Sequence, residues 1–357
     1  MKAIVLAGGR GTRLRPLTHT RNKHLIPIGG KTMIERVIDD VVDLGIKEII
    51  ININLGDTEI KAALGDGSKW DVKITYIEQE KPNGMMFPIV MAEEILAGDD
   101  FVLHAGDNIL SGGLKTYYEE FKKLNSSAHL LVTKVSNPER FGVAVVESGF
   151  MVKTVEKPKE FISNLAVTGV YFYKNDIIEA MKHVEPVVLG NSSVAEYYPP
   201  LAHQWLIDNG YKITVTEVTG WWKDTGKPED LISANHLVLE VLKDNIEGEI
   251  VDSKVEGKVE IKSGAKIINS TLRGPLVIGE NTTITNSYVG PFTAISKDCE
   301  LVNSEIENSI VQNNVKILDF PRRIDNSIIG DNVIITKHQN KPKTTRLLIG
   351  DNSEVVI

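Results

Sequence analysis

An Asn-Ser pair recurs through the last third of the chain, at Asn269-Ser270, Asn286-Ser287, Asn303-Ser304, Asn308-Ser309 and Asn326-Ser327. Three of the four intervals are 17, 17 and 18 residues. Around these pairs Ile261, Ile267, Val277, Ile284, Val289, Ile295, Leu301, Ile306, Val311 and Ile317 return, with drift, every five or six positions. Strands this short cannot bury their apolar residues alone. Three of them closing one coil of about 18 residues, stacked coil on coil, bury a continuous ladder of Val and Ile. The steps Ile278-Gly279, Val289-Gly290 and Ile329-Gly330 suit the corners of such a coil. We read residues 250–357 as a parallel β-helix, with an irregular β-sandwich as the alternative. Stacked coils leave flat faces that associate, so this half is expected to assemble the protein as a homo-oligomer.

Before about residue 235 the text is different. Apolar strand-like runs at Ala3–Ala7, Glu48–Asn52, Val72–Ile77, Asp100–His104, Leu130–Val135, Gly142–Val146, Val167–Tyr173 and Lys212–Glu217 alternate with helical patterns. The helical stretches are Met33–Leu44, Thr58–Leu64, Pro88–Leu96, Gly113–Leu124, Asp176–Lys182 and Leu201–Asn209. These lengths suit βαβ units on a mostly parallel, Rossmann-like α/β sheet. A helix continuing over Leu237–Lys243 divides the chain into a domain over 1–235, a connecting helix within 236–249, and the β-helix.

In sheets of this class ligands bind beyond the carboxyl ends of the strands. The first strand ends in Gly8, Gly9 and Gly11, whose backbone can turn sharply and bring N–H groups close to an anion. Arg10, Arg13, Arg15 and Lys23 place cations on or just after that loop. A phosphate cradle is the reading; a plain glycine-rich turn is the alternative. It is not a Walker A loop, since Gly30-Lys31-Thr32 is preceded by Leu25 where the first glycine belongs. It is not the dinucleotide fingerprint either, because Leu14 stands in place of the third glycine.

Four further stretches carry polar chemistry. Gln79, followed by Pro82-Asn83-Gly84, offers an amide that can meet a base edge with one donor and one acceptor; a surface turn is the alternative. Asp107, in Gly106-Asp107-Asn108 at the end of an apolar run, sits where a divalent cation bound to phosphates would need a carboxylate; a helix cap is the alternative. Glu156-Lys157-Pro158 supplies an acid for sugar hydroxyls and a base for a sugar phosphate, or else a solvated ion pair. Trp221-Trp222-Lys223-Asp224-Thr225-Gly226 adds a second carboxylate that can pair with Asp107, or a Trp-rich closing turn.

Composition narrows the partners. The 357 residues carry a formal charge of −8, against a basic surface for nucleic acid. The single Cys299 excludes a disulfide framework and a Cys-rich zinc site. No signal peptide and no run of about 20 apolar residues is present, so a cytoplasmic protein without membrane contact is expected.

Together these motifs resemble those of the sugar-phosphate nucleotidylyltransferases. The segments are Leu6-Ala-Gly-Gly-Arg-Gly-Thr-Arg-Leu-Arg-Pro-Leu-Thr18, Asn22-Lys-His-Leu-Ile-Pro-Ile28, Gly106-Asp-Asn108, Val155-Glu-Lys-Pro158, Asn164-Leu-Ala-Val-Thr-Gly-Val-Tyr171 and Trp221-Trp-Lys-Asp-Thr-Gly226. The likeness spans nearly the whole chain and is nearest the long-form glucose-1-phosphate thymidylyltransferases, whose C-terminal pattern Ile349-Gly-Asp-Asn-Ser-Glu-Val355 matches. It implies a mixed sheet of the nucleotide-diphospho-sugar transferase type, and a left hand for the β-helix. It also implies transfer of a nucleotidyl group from an NTP, dTTP, to a sugar 1-phosphate, glucose 1-phosphate, with Mg²⁺ as cofactor. Leu6, Gly8, Gly9, Gly11, Gln79 and Gly84 are then the nucleotide side. Arg13, Lys23 and Lys157 serve the phosphates. Gly142, Glu156, Asn164, Val167 and Thr168 hold the sugar, and Asp107 and Asp224 the metal.

Two stretches leave the family pattern. Met85-Met86-Phe87-Pro88-Ile89 replaces small residues expected beside the nucleotide, and Gly190-Asn-Ser-Ser-Val-Ala-Glu-Tyr-Tyr-Pro-Pro-Leu201 replaces a shorter run on the sugar side. UTP or an amino-sugar phosphate therefore stays open as substrate, as does a non-catalytic nucleotide-sugar-binding paralogue. Acyl transfer on the β-helix would rest on His338, the one histidine after His236.

Overall fold

The N-terminal apolar run forms the strand Lys2–Leu6, inside a nine-stranded sheet. The computed structural model describes residues 1–188, 194–337 and 347–356. Gly190, Asn191, Ser192 and Ser193 of the second departure, and His338, lie outside the described residues. Strands Lys73–Gln79, Glu48–Asn54, Lys2–Leu6 and Phe101–Ala105 run parallel, side by side. The order then continues Leu165–Tyr173, Ala128–Lys134, Ile213–Glu217, Phe150–Glu156 and Gly142–Glu147.

In that second half only Ala128–Lys134 with Ile213–Glu217 is parallel, and the other neighbouring pairs are antiparallel. The sheet is therefore mixed rather than mostly parallel. Two strands run against the rest: Leu165–Tyr173, antiparallel to both its neighbours, and Phe150–Glu156, absent from the sequence reading, which folds back on Gly142–Glu147. Ser148 and Gly149 both take positive φ in the turn, the hairpin geometry whose twist matches that of the strands. The chain then re-enters the sheet at Leu165 from the opposite end.

Helices Met33–Val42, Thr58–Leu64, Lys115–Leu124, Asp176–His183 and Pro199–Asp208 occupy the expected stretches. The stretch read as one helix over Pro88–Leu96 is two short ones, Phe87–Met91 and Glu93–Leu96, separated at Ala92. The helix expected over Leu237–Lys243 is the end of Pro228–Glu240 and stops three residues early. Ile4, Ile50, Phe101, Leu103, Leu130, Tyr171 and Tyr173 are among the buried side chains of the sheet's core.

Packing divides the chain into two compact units. One is Met1–Arg10 with Ile34–Asp224; the other is Gly11–Met33 with the chain from Thr225 on. The second unit is mostly the β-helix, three parallel sheets of six, six and five strands. Registers such as Ile250↔Ile267↔Ile284↔Leu301↔Ile317↔Ile335 stack one apolar side chain per coil.

The Asn-Ser pairs have a physical explanation. Asn269, Asn286, Asn303, Asn308 and Asn326 all take φ between 45° and 50°, a left-handed turn that Asn tolerates. The following serine turns inward and accepts from the coil above: Ser287 N–H donates to Ser270 Oγ at 3.0 Å and Ser304 N–H to Ser287 Oγ at 3.2 Å. The short Asn303-to-Asn308 interval arises because these residues belong to two different corners: Ser327 N–H donates to Ser309 Oγ, and Phe320 N–H to Ser304 Oγ. Val277 is a correction. Leu276 and Ile278 fill the solenoid, whereas Val277, alternating with them, lies against Gly30.

Candidate active site

At the carboxyl end of Lys2–Leu6 the chain turns through Gly8 and Gly9. A Cβ on Gly8 would lie 2.3 Å from Gln79 Nε2 and 2.9 Å from Asn52 Oδ1, so any side chain there would push both carboxamides aside. Gln79 Nε2 donates to the Gly8 carbonyl at 3.3 Å. Gly8 and Gln79, 71 residues apart in sequence, are thus brought together, and Asn52, which sequence reasoning missed, stands beside them.

Gly84 has φ +98°, and a Cβ on it would meet Tyr197 N at 2.5 Å and Tyr197 O at 2.6 Å. The two backbones are zipped together: Tyr197 N–H donates to Asn83 O at 2.8 Å, and Met86 N–H to Tyr197 O at 3.1 Å. Phe87 stacks on Tyr197, with ring centroids 5.9 Å apart. Tyr171 Oη donates toward Met85 Sδ at 3.6 Å. The two stretches that depart from the family pattern are therefore one structure.

The strand Phe101–Ala105 ends in a turn at Gly106-Asp107, and Asn108–Leu110 pairs antiparallel with Trp222–Asp224. Asp224 is opposite Asn108, so of the two expected metal carboxylates one ends a paired strand and the other, Asp107, stands in the turn just before its partner strand. Asn108 Nδ2 donates to Asp107 Oδ1 at 3.0 Å. The Trp222 indole N–H is shared between Asn108 Oδ1 at 2.7 Å and the Thr168 carbonyl at 3.0 Å. Phe141 meets the same indole edge-on at 5.3 Å. Trp222 therefore ties the Asp107 turn to the Val167–Thr168 stretch, a role the sequence did not reveal.

Among the described residues no group of three or more His, Cys, Asp or Glu side chains could hold a metal ion. A carboxylate in the turn and another at the end of the paired strand nonetheless fit Mg²⁺, which commonly takes one or two carboxylates and completes its shell with phosphate oxygens and water.

At the sheet's far edge Glu156 pairs directly with Gly142, and a Cβ there would lie 2.7 Å from Glu156 Oε2. Burial pushes the Glu156 carboxyl up and Lys157 pulls it back. Burial, and then Glu196 and Glu156, push the Tyr198 phenol up. Lys157 is exposed with φ +50°, its N–H donating to the Phe141 carbonyl at 3.1 Å. Asn164 is exposed, and its carbonyl accepts from Val135 N–H. Thr168 is buried and donates to the Leu131 carbonyl at 3.0 Å, so its hydroxyl braces the strand.

Gly11, Arg13 and Lys23 belong to the second compact unit and gather there. Gly11, with φ +61°, precedes a single 3-10 turn, Thr12–Leu14, rather than a long helix. A Cβ on Gly11 would lie 2.9 Å from Lys23 Cβ, so the lysine stem passes over the glycine. The Arg13 guanidinium covers Gly226, with Nη2 2.8 Å from the Cβ position.

A family model of nucleotidyl transferases matches residues 2–241. Over 362 residues the chain is 41% identical to a glucose-1-phosphate thymidylyltransferase of Streptomyces griseus, covering 100% of this chain and 99% of the relative. It is 37% identical over 361 residues to a low-salt glycan biosynthesis nucleotidyltransferase of Haloferax volcanii, covering 99% of each. A solved Bacillus anthracis structure described as a glucose-1-phosphate thymidylyltransferase in complex with sucrose is 34% identical. It superposes with a TM-score of 0.63 and covers 69% of this chain and 98% of that one. With the Gly8–Gln79 cluster, the Asp107 turn, the Asp224 strand end and the Gly142–Glu156 pair in place, the chain belongs to the nucleotidyl transferase family, among its sugar-1-phosphate nucleotidylyltransferases.

Proposed function

We propose that the protein transfers a thymidylyl group from dTTP to glucose 1-phosphate, giving dTDP-glucose and pyrophosphate. The observation that carries this reading is the full-length identity of 41% to a relative named for that reaction. The site chemistry supports it. A sugar phosphate is dianionic near neutral pH, so its oxygen attacks the α-phosphorus without a general base. The new O–P bond forms as the bond from the α-phosphorus to the bridging oxygen breaks, and pyrophosphate leaves with those electrons.

Such a reaction needs two polyanions held in line with their charge neutralised. Arg13 and Lys23 serve the triphosphate and Lys157 the sugar phosphate, while Glu156 accepts from sugar hydroxyls. Asp107 and Asp224 would hold Mg²⁺, which supplies positive charge to the phosphate oxygens. Gln79 reads the base from above Gly8. The β-helix assembles the chain into a homo-oligomer, which sedimentation checks. Among the described residues no helix is long and apolar enough to cross a membrane.

The zipped Met85–Phe87 and Glu196–Tyr198 wall favours one second reading, a sugar phosphate or base other than glucose and thymine. Pyrophosphate release over a grid of NTPs and sugar 1-phosphates with Mg²⁺ decides between them. Nucleotide binding without turnover for any pair would overturn the enzyme reading in favour of a binding protein.

A further inference from the structure

The strand Glu48–Asn54 reads Glu-Ile-Ile-Ile-Asn-Ile-Asn, with Asn52 in the middle of its isoleucines. Asn52 is 3% exposed, and its Nδ2 has no hydrogen-bond partner. A buried, unsatisfied amide donor is costly, so its retention asks for a function.

The registers locate that function. Leu6 pairs in parallel with Asn52, Asn52 with Ile77, and Asn54 with Gln79. Side chains alternate along a strand, so Leu6, Asn52, Asn54 and Gln79 share one face of the sheet. On that face the carboxamides of Asn52 and Gln79 crowd the same point over Gly8, Asn52 Oδ1 2.9 Å and Gln79 Nε2 2.3 Å from it. Gln79 meanwhile holds only a 3.3 Å bond to the Gly8 carbonyl.

We propose that Asn52 is the positioning residue for Gln79: its free Nδ2 donates to the Gln79 side-chain oxygen when nucleotide binds. The Gln79 Nε2 then leaves Gly8 and turns to the base. One donor that is idle in the free protein is satisfied in the complex, and base binding depends on a residue that does not touch the base. The assignment rests on the reading of Gln79 as the base-facing amide.

A double-mutant cycle on the full chain tests it, with dTTP and UTP binding measured by calorimetry in the presence of Mg²⁺. Asn52→Leu is expected to weaken dTTP and UTP binding alike by about tenfold, the worth of one hydrogen bond, because thymine and uracil present the same polar edge to the Gln79 amide. In a Gln79→Ala background the same change should have no further effect. Because Asn52→Leu removes an unsatisfied donor, its melting temperature should equal or exceed that of the unmodified protein. Asn52→Ser serves as the second variant should the leucine fail to fold. An equal loss in both backgrounds, or unchanged binding in the Asn52 variants, overturns the proposal. Absence of turnover with every substrate pair would overturn the proposed function while leaving this cycle readable, since binding is measured without chemistry.

Discussion

Arg21 offers a direct test of what the β-helix does besides the assembly proposed for it. It lies on Gly11–Met33, the segment that carries Arg13 and Lys23, and this segment packs in one compact unit with the solenoid. The Arg21 guanidinium pairs with Asp331 and reaches Gln312 Oε1 at 3.4 Å, both on late coils. Asp331 is in turn held by the Asn313 N–H at 2.8 Å. Elsewhere the segment is pinned by Gly29 N–H on Asn235 Oδ1 at 2.8 Å and by Lys262 Nζ on the Gly30 carbonyl at 3.3 Å. The Arg21 and Asp331 side chains are 26% and 19% exposed, between the surface and buried limits for an ion pair.

Breaking a buried pair costs about 3–5 kcal/mol and an exposed one about 0–1, so about 2 kcal/mol is expected here. Because the other contacts survive, Arg21→Ala should loosen residues near 16–22 without unfolding the unit. If half of that cost falls on holding Arg13 and Lys23 against the triphosphate, kcat/KM drops about fivefold. Pyrophosphate release at saturating sugar phosphate reads the loss, and hydrogen exchange over 11–25 reads the loosening. Arg21→Lys should recover part of each. By the same reasoning, deleting the chain after about residue 245 should abolish turnover as well as assembly. A truncated protein with normal kcat/KM, or Arg21→Ala with unchanged rate and exchange, would refute the buttress.

Other expectations concern the sheet unit. Asp107→Asn and Asp224→Asn should each cut turnover about a hundredfold or more with unchanged circular dichroism, and wild-type rates at saturating Mg²⁺ would contradict the metal assignment. Trp222→Phe removes the indole N–H shared by Asn108 and Thr168, so stability should fall by about 1–3 kcal/mol in denaturant titrations and kcat/KM with it; an unchanged midpoint would count against Trp222 as a tie. Burial lowers His104 and His129 to about 4 and His203 to about 3. The unfolded chain thus binds more protons than the folded one below the ordinary histidine value of 6.5, and stability should decline as pH falls from 6.5 toward 4. A melting temperature flat across that window would refute it.

What the letters disclosed and what they hid follow from distance along the chain. The β-helix was legible because each coil repeats its neighbour 16 to 18 residues on, so stacking is written as periodicity. Even so, spacing could not say which corner Asn308 belongs to, and it chose Val277 over Ile278 for the core. The glycine loop and Asp107 stood out because each follows an apolar run read as a strand, and Glu156 and Asp224 because they sit in the local motifs Glu156-Lys157-Pro158 and Trp221-Trp222-Lys223-Asp224-Thr225-Gly226. Trp222 stood out by composition, yet its partners Asn108 and Thr168 are 114 and 54 residues away, and nothing local announces them. Asn52 was hidden because one polar letter in an isoleucine run barely disturbs a strand pattern. The strand Phe150–Glu156 was masked by the Glu156-Lys157 motif at its end.

The two departures from the family pattern show the same limit from the other side, since sequence presented them as separate and folding makes them one. Gly84 can approach Tyr197 only without a side chain, and Met86 and Asn83 bond to the Tyr197 backbone on either side. A change in one segment is therefore constrained by the other. Small residues at Met85–Phe87 alone would strip the stack from Tyr197 and leave the Tyr171 hydroxyl without its sulfur. Because the Tyr197 backbone bonds to Asn83 and Met86, re-engineering of substrate choice in this chain should exchange both segments together.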